Sequence, residues 1–178
     1  MKKISILLVD DHAAIRQGLR ALLELEPDLR VVGEAENGRQ AVKLVRKNSP
    51  DIVIIDLAMP VLGGLEATRQ ILACAPQTKV LVLTSYGDDA SVDHLMKAGA
   101  AGFLIKQTAV NDVLSAIREV KKGRSFFTPV IAQRLEQRHR AHQRWQPSPA
   151  LHAIPSRTTE MLRVLPTPAA QPLAFDAA

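Results

Sequence analysis

The chain has 178 residues, 47% of them hydrophobic, and a formal net charge of +5, enough to bury one ordinary core with a small appendage. The charge is spread, with 17 Lys and Arg against 15 Asp and Glu up to Ser125 and 6 against 3 after it, so the dense basic stripe that marks a nucleic-acid interface is missing. Aromatics at 3% are too few for a base-stacking platform, and the single cysteine, Cys74, excludes an intrachain disulfide and a thiolate zinc cluster.

The opening "MKKISILLVDD" imitates a signal peptide, but Asp10 and Asp11 end its apolar run short of the usual apolar region of roughly 7–15 residues. Further apolar runs follow at Val31–Ala35, Ile52–Asp56, Val80–Thr84 and Gly102–Ile105, after a first at Ile4–Val9. Being continuous rather than alternating, they predict strands buried on both faces. Between them Ile15, Leu19, Leu22 and Leu23 form one helical stripe, and Val110, Val113, Leu114, Ile117 and Val120 form another. Weaker stripes occupy Arg39–Lys47, Leu65–Ala75 and Asp89–Lys97. Strict strand and helix alternation predicts an α/β fold with a five-stranded parallel sheet, doubly wound. All nine glycines lie at or before Gly123, and six of the eleven prolines follow Trp145. That shift divides the chain into a domain at 1–125, a linker helix at 126–146 and a Pro/Ala-rich tail at 147–178. No stretch approaches the roughly 18 apolar residues of a membrane span, and a reducing cytoplasm is the expected compartment.

In such sheets ligands sit beyond the carboxyl ends of the strands. Those ends carry Asp10-Asp11, Asp56, Thr84-Ser85 and Lys106. Each has a plain reading alone: Asp11 caps the helix beginning near Ala13, Asp56 starts a turn before Met59-Pro60, Thr84 and Ser85 are loop hydroxyls, and Lys106 is a solvated strand end. Together they have a chemical one. Two like charges about 4 Å apart repel by roughly 4 kcal/mol at an effective dielectric near 20, so three carboxylates recruit a cation. Oxygen ligands favour Mg²⁺ or Ca²⁺, and a site that keeps waters and takes a phosphate favours Mg²⁺. With the Lys106 ammonium facing the acids across a phosphate-sized gap, Asp56 becomes an in-line nucleophile that forms an aspartyl phosphate.

These residues, in "VDDH", "IIDLAMP", "LVLTSY" and "GFLIK", resemble the receiver domain of bacterial two-component response regulators over about Lys3 to Gly123. The resemblance implies a flavodoxin-like fold, a phosphorelay function in place of turnover catalysis, and a histidine kinase as phosphodonor. It makes Asp56 the phosphoacceptor, Asp11 the direct magnesium ligand and Asp10 its water-bridged partner, with Asp56 and the Ala58 backbone carbonyl completing the protein's share. Thr84 resembles the switch hydroxyl, Lys106 the phosphate-pairing lysine and Phe103 the switch aromatic. Many receivers follow the lysine with proline; Gln107 stands here, as in the branch joined to LuxR-type DNA-binding domains, where dimers often form through the receiver. Ala58 and Tyr86 flank the phosphate position and are expected to tune the lifetime of the phosphoryl group.

Past the receiver, "TPVIAQRLEQRHRAHQRWQ" reads as a charged helix on which His139 and His142 share a face. "IPSRTTEMLRVL", Ile154 to Leu165, resembles the first helix of a LuxR-type helix-turn-helix domain. The "PTPAAQPLAFDAA" that follows has three prolines and no glycine and does not continue helices, so the DNA-binding output reads as truncated; a disordered Pro-rich tail is the other reading. Transcriptional control is therefore the leading output. A stand-alone receiver acting through protein contacts alone is the alternative, with DNA a partner only through an intact output domain. A haloacid-dehalogenase-like phosphatase is disfavoured because "VDDHA" lacks the required Asp-x-Asp.

Overall fold

A computed structural model describes residues 3–85, 89–106, 110–129 and 131–133. Tyr86, Gln107, His139, His142, the rest of the expected linker helix and the helix-turn-helix resemblance lie outside these residues. The elements run β1 (Ile4–Val9), α1 (Ala13–Glu24), β2 (Leu29–Ala35), α2 (Gly38–Asn48), β3 (Ile52–Ile55), α3 (Gly64–Cys74), β4 (Lys79–Thr84), α4 (Asp89–Lys97), β5 (Gly102–Ile105), α5 (Val110–Lys121) and β6 (Phe126–Phe127). All strand pairs are parallel, in the order β2-β1-β3-β4-β5-β6. No described helix is long and apolar enough to cross a membrane.

Because successive side chains on a strand face opposite ways, the continuous apolar runs supply two cores at once. Leu7, Val9, Val53, Ile55, Val80, Val82 and Phe103 pack against α2, α3 and α4 through residues such as Val45, Ile71 and Leu95. Ile6, Leu8, Ile52, Ile54, Leu81, Leu83 and Leu104 pack against α1 and α5 through Leu23, Val113, Ile117 and Val120. This is the doubly wound α/β arrangement that the alternation predicts.

The sheet differs from the expected five strands by one. Phe126–Phe127, read from sequence as the start of a linker helix, instead pair with Gly102 and Phe103 of β5. The physical reason is the edge: β5 would otherwise present unpaired backbone groups, and Gly102 admits a close strand, since a Cβ there would meet the Phe126 carbonyl oxygen at 2.4 Å. Thr128 donates its N–H to the Phe103 carbonyl at 3.1 Å. Ile131 is buried in the same core as Phe103, so packing onto the sheet continues past residue 125.

Order in the sheet places the site. The chain leaves β1 toward β2 on one side and returns to β3 on the other, so their carboxyl ends open a crevice at the switch in strand order.

Candidate functional site

Three hydrogen bonds of the ladder extend past the strand ends and set the rim. The Asp10 N–H donates to the Ala35 carbonyl at 3.1 Å, that of Asp56 to Val9 at 2.8 Å, and that of Lys106 to Thr84 at 2.8 Å. Gly64 N–H donates to Leu57 at 2.9 Å, closing the loop behind Asp56. The side chains of Asp10, Asp56 and Lys106 are thereby fixed on neighbouring segments of one edge.

Asp10 and Asp56 are both buried, at 3% and 4% exposure. The Lys106 ammonium bridges them, with Nζ 2.7 Å from Asp10 Oδ2 and 3.1 Å from Asp56 Oδ2. Burial pushes the Asp56 carboxyl above its ordinary range; the hydrogen bond and charge of Lys106 oppose this, and the Asp10 charge adds to it. Burial alone would lower Lys106, but its hydrogen bonds to Asp10 and Asp56 outweigh that and raise it. The expected phosphate-sized gap between lysine and acids is therefore closed in this state. One ammonium lies between two buried like charges because direct contact is the strongest available compensation.

Asp11 is the outward member of the pair, with its side chain 31% exposed. The expectation that it could cap α1 is not met: the N-cap residue is His12, and no side chain caps the helix. Asp10 takes over part of that work, its Oδ1 accepting the His12 N–H at 2.8 Å. Asp11 Oδ1 lies 2.8 Å from His12 Nδ1. One ligand atom from each of Asp10, Asp11, His12 and Asp56 lies within 4.8 Å of the others. Oxygen donors so close, two of them buried, fit a hard divalent cation such as Mg²⁺.

Thr84 is buried at the end of β4, and Phe103 is fully buried on β5. Ala58 is exposed in the loop that follows Asp56. That loop turns sharply: Leu62 N–H donates to the Pro60 carbonyl at 2.7 Å across Val61, whose φ of 70° is unusual for a β-branched residue. The turn brings the first residue of α3 against the end of β3, where only glycine fits. A Cβ on Gly64 would stand 2.2 Å from the Asp56 carbonyl oxygen.

Sequence reasoning missed Arg16. Its side chain is 10% exposed, and Nη1 donates to the Asp10 carbonyl at 2.6 Å, while Nε and Nη2 reach Glu34 and Glu36 at 3.4 and 3.3 Å. The acidic residues flanking Ala35 at the end of β2 were the available signal, since they offer a cation partners beside the first strand.

Comparison with known proteins shows the family. The family model described as "Response regulator receiver domain" matches residues 6–118. The chain is 44% identical over 132 residues to "Response regulator UvrY" of Escherichia coli (strain K12), covering 74% of this chain and 61% of that protein. It is 37% identical over 138 residues to "Transcriptional regulatory protein DegU" of Brevibacillus brevis, covering 78% and 58%. Among solved structures, a LuxR-family two-component response regulator from Aurantimonas sp. SI85-9A1 superposes with a TM-score of 0.74 at 36% identity, over 78% of this chain and 99% of that one. The chain spans about three fifths of the length of the curated relatives it matches.

Proposed function

The chain belongs to the response regulator receiver family, and on that premise we propose that Asp56 accepts a phosphoryl group from the phosphohistidine of a sensor kinase and that the modified domain controls transcription. The observation that carries this reading is the bridge itself: two buried carboxylates from adjacent strands share one lysine at 2.7 and 3.1 Å, an arrangement with little structural merit and an evident chemical use.

Asp56 is held at the end of a fully buried strand, so its attack geometry is set before the donor arrives. An Asp56 carboxylate oxygen forms the new bond to phosphorus as the phosphorus–nitrogen bond of the donor breaks, its electron pair leaving on the imidazole nitrogen. Asp10, Asp11 and Asp56, with the Ala58 carbonyl, would hold Mg²⁺. When bound, the ion supplies positive charge against the phosphoryl oxygens and draws the carboxylates together. Lys106 exchanges its carboxylate partners for the phosphoryl group, and the Thr84 hydroxyl donates to it. Charge-assisted hydrogen bonds contribute about 1.5–3 kcal/mol each. Because Lys106 gives up two such bonds in the exchange, only the difference between the bonds made and the bonds given up counts toward the roughly 5.5 kcal/mol that carries a two-state equilibrium from 1:99 to 99:1.

Phe103 is the switch aromatic, and its neighbours give it a route outward: β6 pairs with it and Ile131 shares its core. A rearrangement at Phe103 is thereby passed to Phe126–Phe127 and Ile131. Ala58 and Tyr86 tune phosphoryl lifetime. Transcription as output draws support from relatives named as transcriptional regulators.

Acetyl phosphate with Mg²⁺ tests the assignment. The wild-type chain takes up one phosphoryl group and Asp56→Asn takes up none while keeping its circular dichroism spectrum. Persistent labelling of the variant refutes the role of Asp56. Specific DNA binding in a salt-controlled shift assay separates transcriptional output from a receiver acting through protein contacts.

A further inference from the structure

We propose that the cavity between α3 and α4 binds a small organic acid, its carboxylate on Arg69 and its apolar body on Leu57, Leu65 and Leu95. The cavity opens where Leu57, the Gly63-Gly64 approach to α3 and the His94-Leu95 step of α4 meet, and it measures about 290 Å³. Asp10, Asp11, Asp56 and Lys106 are not among its lining residues, so it is a separate site. Small-molecule sites commonly span about 300–1,000 Å³. This one stands at the small end and suits a ligand with one ring or a short chain.

The space has a cause in the sequence. A Cβ on Gly63 would meet one atom within 4 Å, the Leu57 carbonyl oxygen at an ordinary 3.5 Å. The φ of −69° at Gly63 is open to any residue. Neither backbone conformation nor a close approach therefore requires glycine here, unlike at Gly64; what its missing side chain does is leave room. Beneath that room the floor is apolar. Leu95 is fully buried, and Leu57 and Leu65 pack partly buried against the same core.

The sign of the ligand follows from which charges are already answered. Glu66 is satisfied within its own helix, with Oε1 accepting from Gln70 Nε2 at 3.0 Å and Oε2 from Arg69 Nη1 at 3.4 Å. For Arg69 that one long contact is the only one among the described residues, and its side chain is 52% exposed. Most of its five N–H donors are therefore open to a carboxylate, which a guanidinium binds in a forked pair. His94 adds a ring N–H across the cavity. α3 starts without a side-chain cap, and the positive end of its dipole works in the same direction. Leucines below and an underused guanidinium above fit an acid with an apolar body better than an inorganic anion. Such a ligand would rest on Leu57, whose carbonyl holds the Gly64 N–H at 2.9 Å, and so would lie close behind Asp56 without using any residue of the rim.

The isotope-labelled full chain, followed by its amide chemical shifts, is titrated with benzoate, benzamide and benzylammonium, three probes of similar shape and different charge. Benzoate is expected to move the amides of Leu57, Gly63, Gly64 and Leu95 saturably and to bind about fivefold more tightly than benzamide, with benzylammonium weakest. Arg69→Gln should weaken benzoate about fivefold and leave benzamide within twofold. Gly63→Val, which fills the space, should weaken both while the circular dichroism spectrum is kept. Benzoate that binds no more tightly than benzamide, or that is indifferent to Arg69→Gln, overturns the acid as ligand class. Saturable shifts confined to residues away from the cavity, binding untouched by Gly63→Val, or no saturable shift at all overturns the site.

Discussion

Gly64→Ala tests how tightly the start of α3 holds Asp56, the proposed phosphoacceptor. The added Cβ would stand 2.2 Å from the Asp56 carbonyl oxygen, 2.9 Å from Leu57 Cα and 3.0 Å from the Asp56 carbonyl carbon. Non-bonded carbon contacts settle near 3.5–4.0 Å, so the helix start and the end of β3 must part by roughly 1 Å. All three obstacles are backbone, with no flexible side-chain tip to yield. Overpacking of this kind costs about 1–3 kcal/mol, and alanine's better helix propensity returns less than about 1 kcal/mol. The expected net loss is about 1–2 kcal/mol. The displaced atoms belong to Asp56 itself, and a misplacement of about 1 Å at a reacting group can lower the rate by about 10²-fold. Urea unfolding reads the first quantity and the rate of labelling by acetyl phosphate at fixed Mg²⁺ the second. Gly18→Ala is the control: no atom lies within 4 Å of a Cβ there, and in the exposed middle of α1 it should stabilise by about 0.5–1 kcal/mol. A Gly64→Ala chain as stable as wild type and labelled within twofold of its rate would refute the close-approach reasoning.

Other consequences concern charge. Asp51 loses some ionisation to burial, but Lys121 and Ser5 overcome this and hold its carboxyl down at about 2. With an unfolded value of 3.8, this contributes about 2 kcal/mol that is fully present above pH 4 and lost as the pH falls toward 2. The stability gap between wild type and Asp51→Asn in urea should therefore close over that window, and a gap independent of pH would contradict it. Arg16→Met strands the buried Asp10 carbonyl and should cost about 1–3 kcal/mol; an unchanged urea midpoint would show that water replaces the guanidinium there. Mg²⁺ at ten times its dissociation constant should stabilise the wild-type chain by about 1.4 kcal/mol, reversibly with chelator, and Asp11→Asn should lose most of that gain in thermal scans.

Much of the fold was legible because strands buried on both faces leave no polar gaps. β1 and β5 begin and end at the limits of their apolar runs, and the acidic, hydroxyl and lysine strand ends converge as the topology requires. β6 was illegible because two phenylalanines are too few to show a period, and the strand forms only where Gly102 lets a neighbour close on β5. Arg16 follows Ile15 of the α1 stripe in sequence and reads as a solvated residue. Its burial comes with partners distant in sequence, the Asp10 carbonyl, Glu34 of β2 and Glu36 just beyond it. Spacing along the chain likewise says nothing of which acids a lysine will touch, so the contact of Lys106 with both buried carboxylates emerged only from distances.

That contact changes how the rim should be understood. Lys106 offsets Asp10 and Asp56, the imidazole stands beside Asp11, and the Arg16 guanidinium lies against the Asp10 carbonyl. The protein thus supplies its own substitutes for the charges that an ion and a phosphoryl group bring. An unbalanced set of three carboxylates would strain the fold while it waited; a fully satisfied one would have no reason to bind anything. Here the compensation is partial, since Asp56 remains harder to ionise than an ordinary carboxylate despite its lysine. Under the proposed role, a divalent cation would relieve the deficit at Asp56, and the ammonium already at its side is the group best placed to follow the charge of a phosphoryl group. The same two contacts, at 2.7 and 3.1 Å, offset the buried carboxylates of the resting domain and, under the proposed role, hold the lysine within reach of a phosphoryl group.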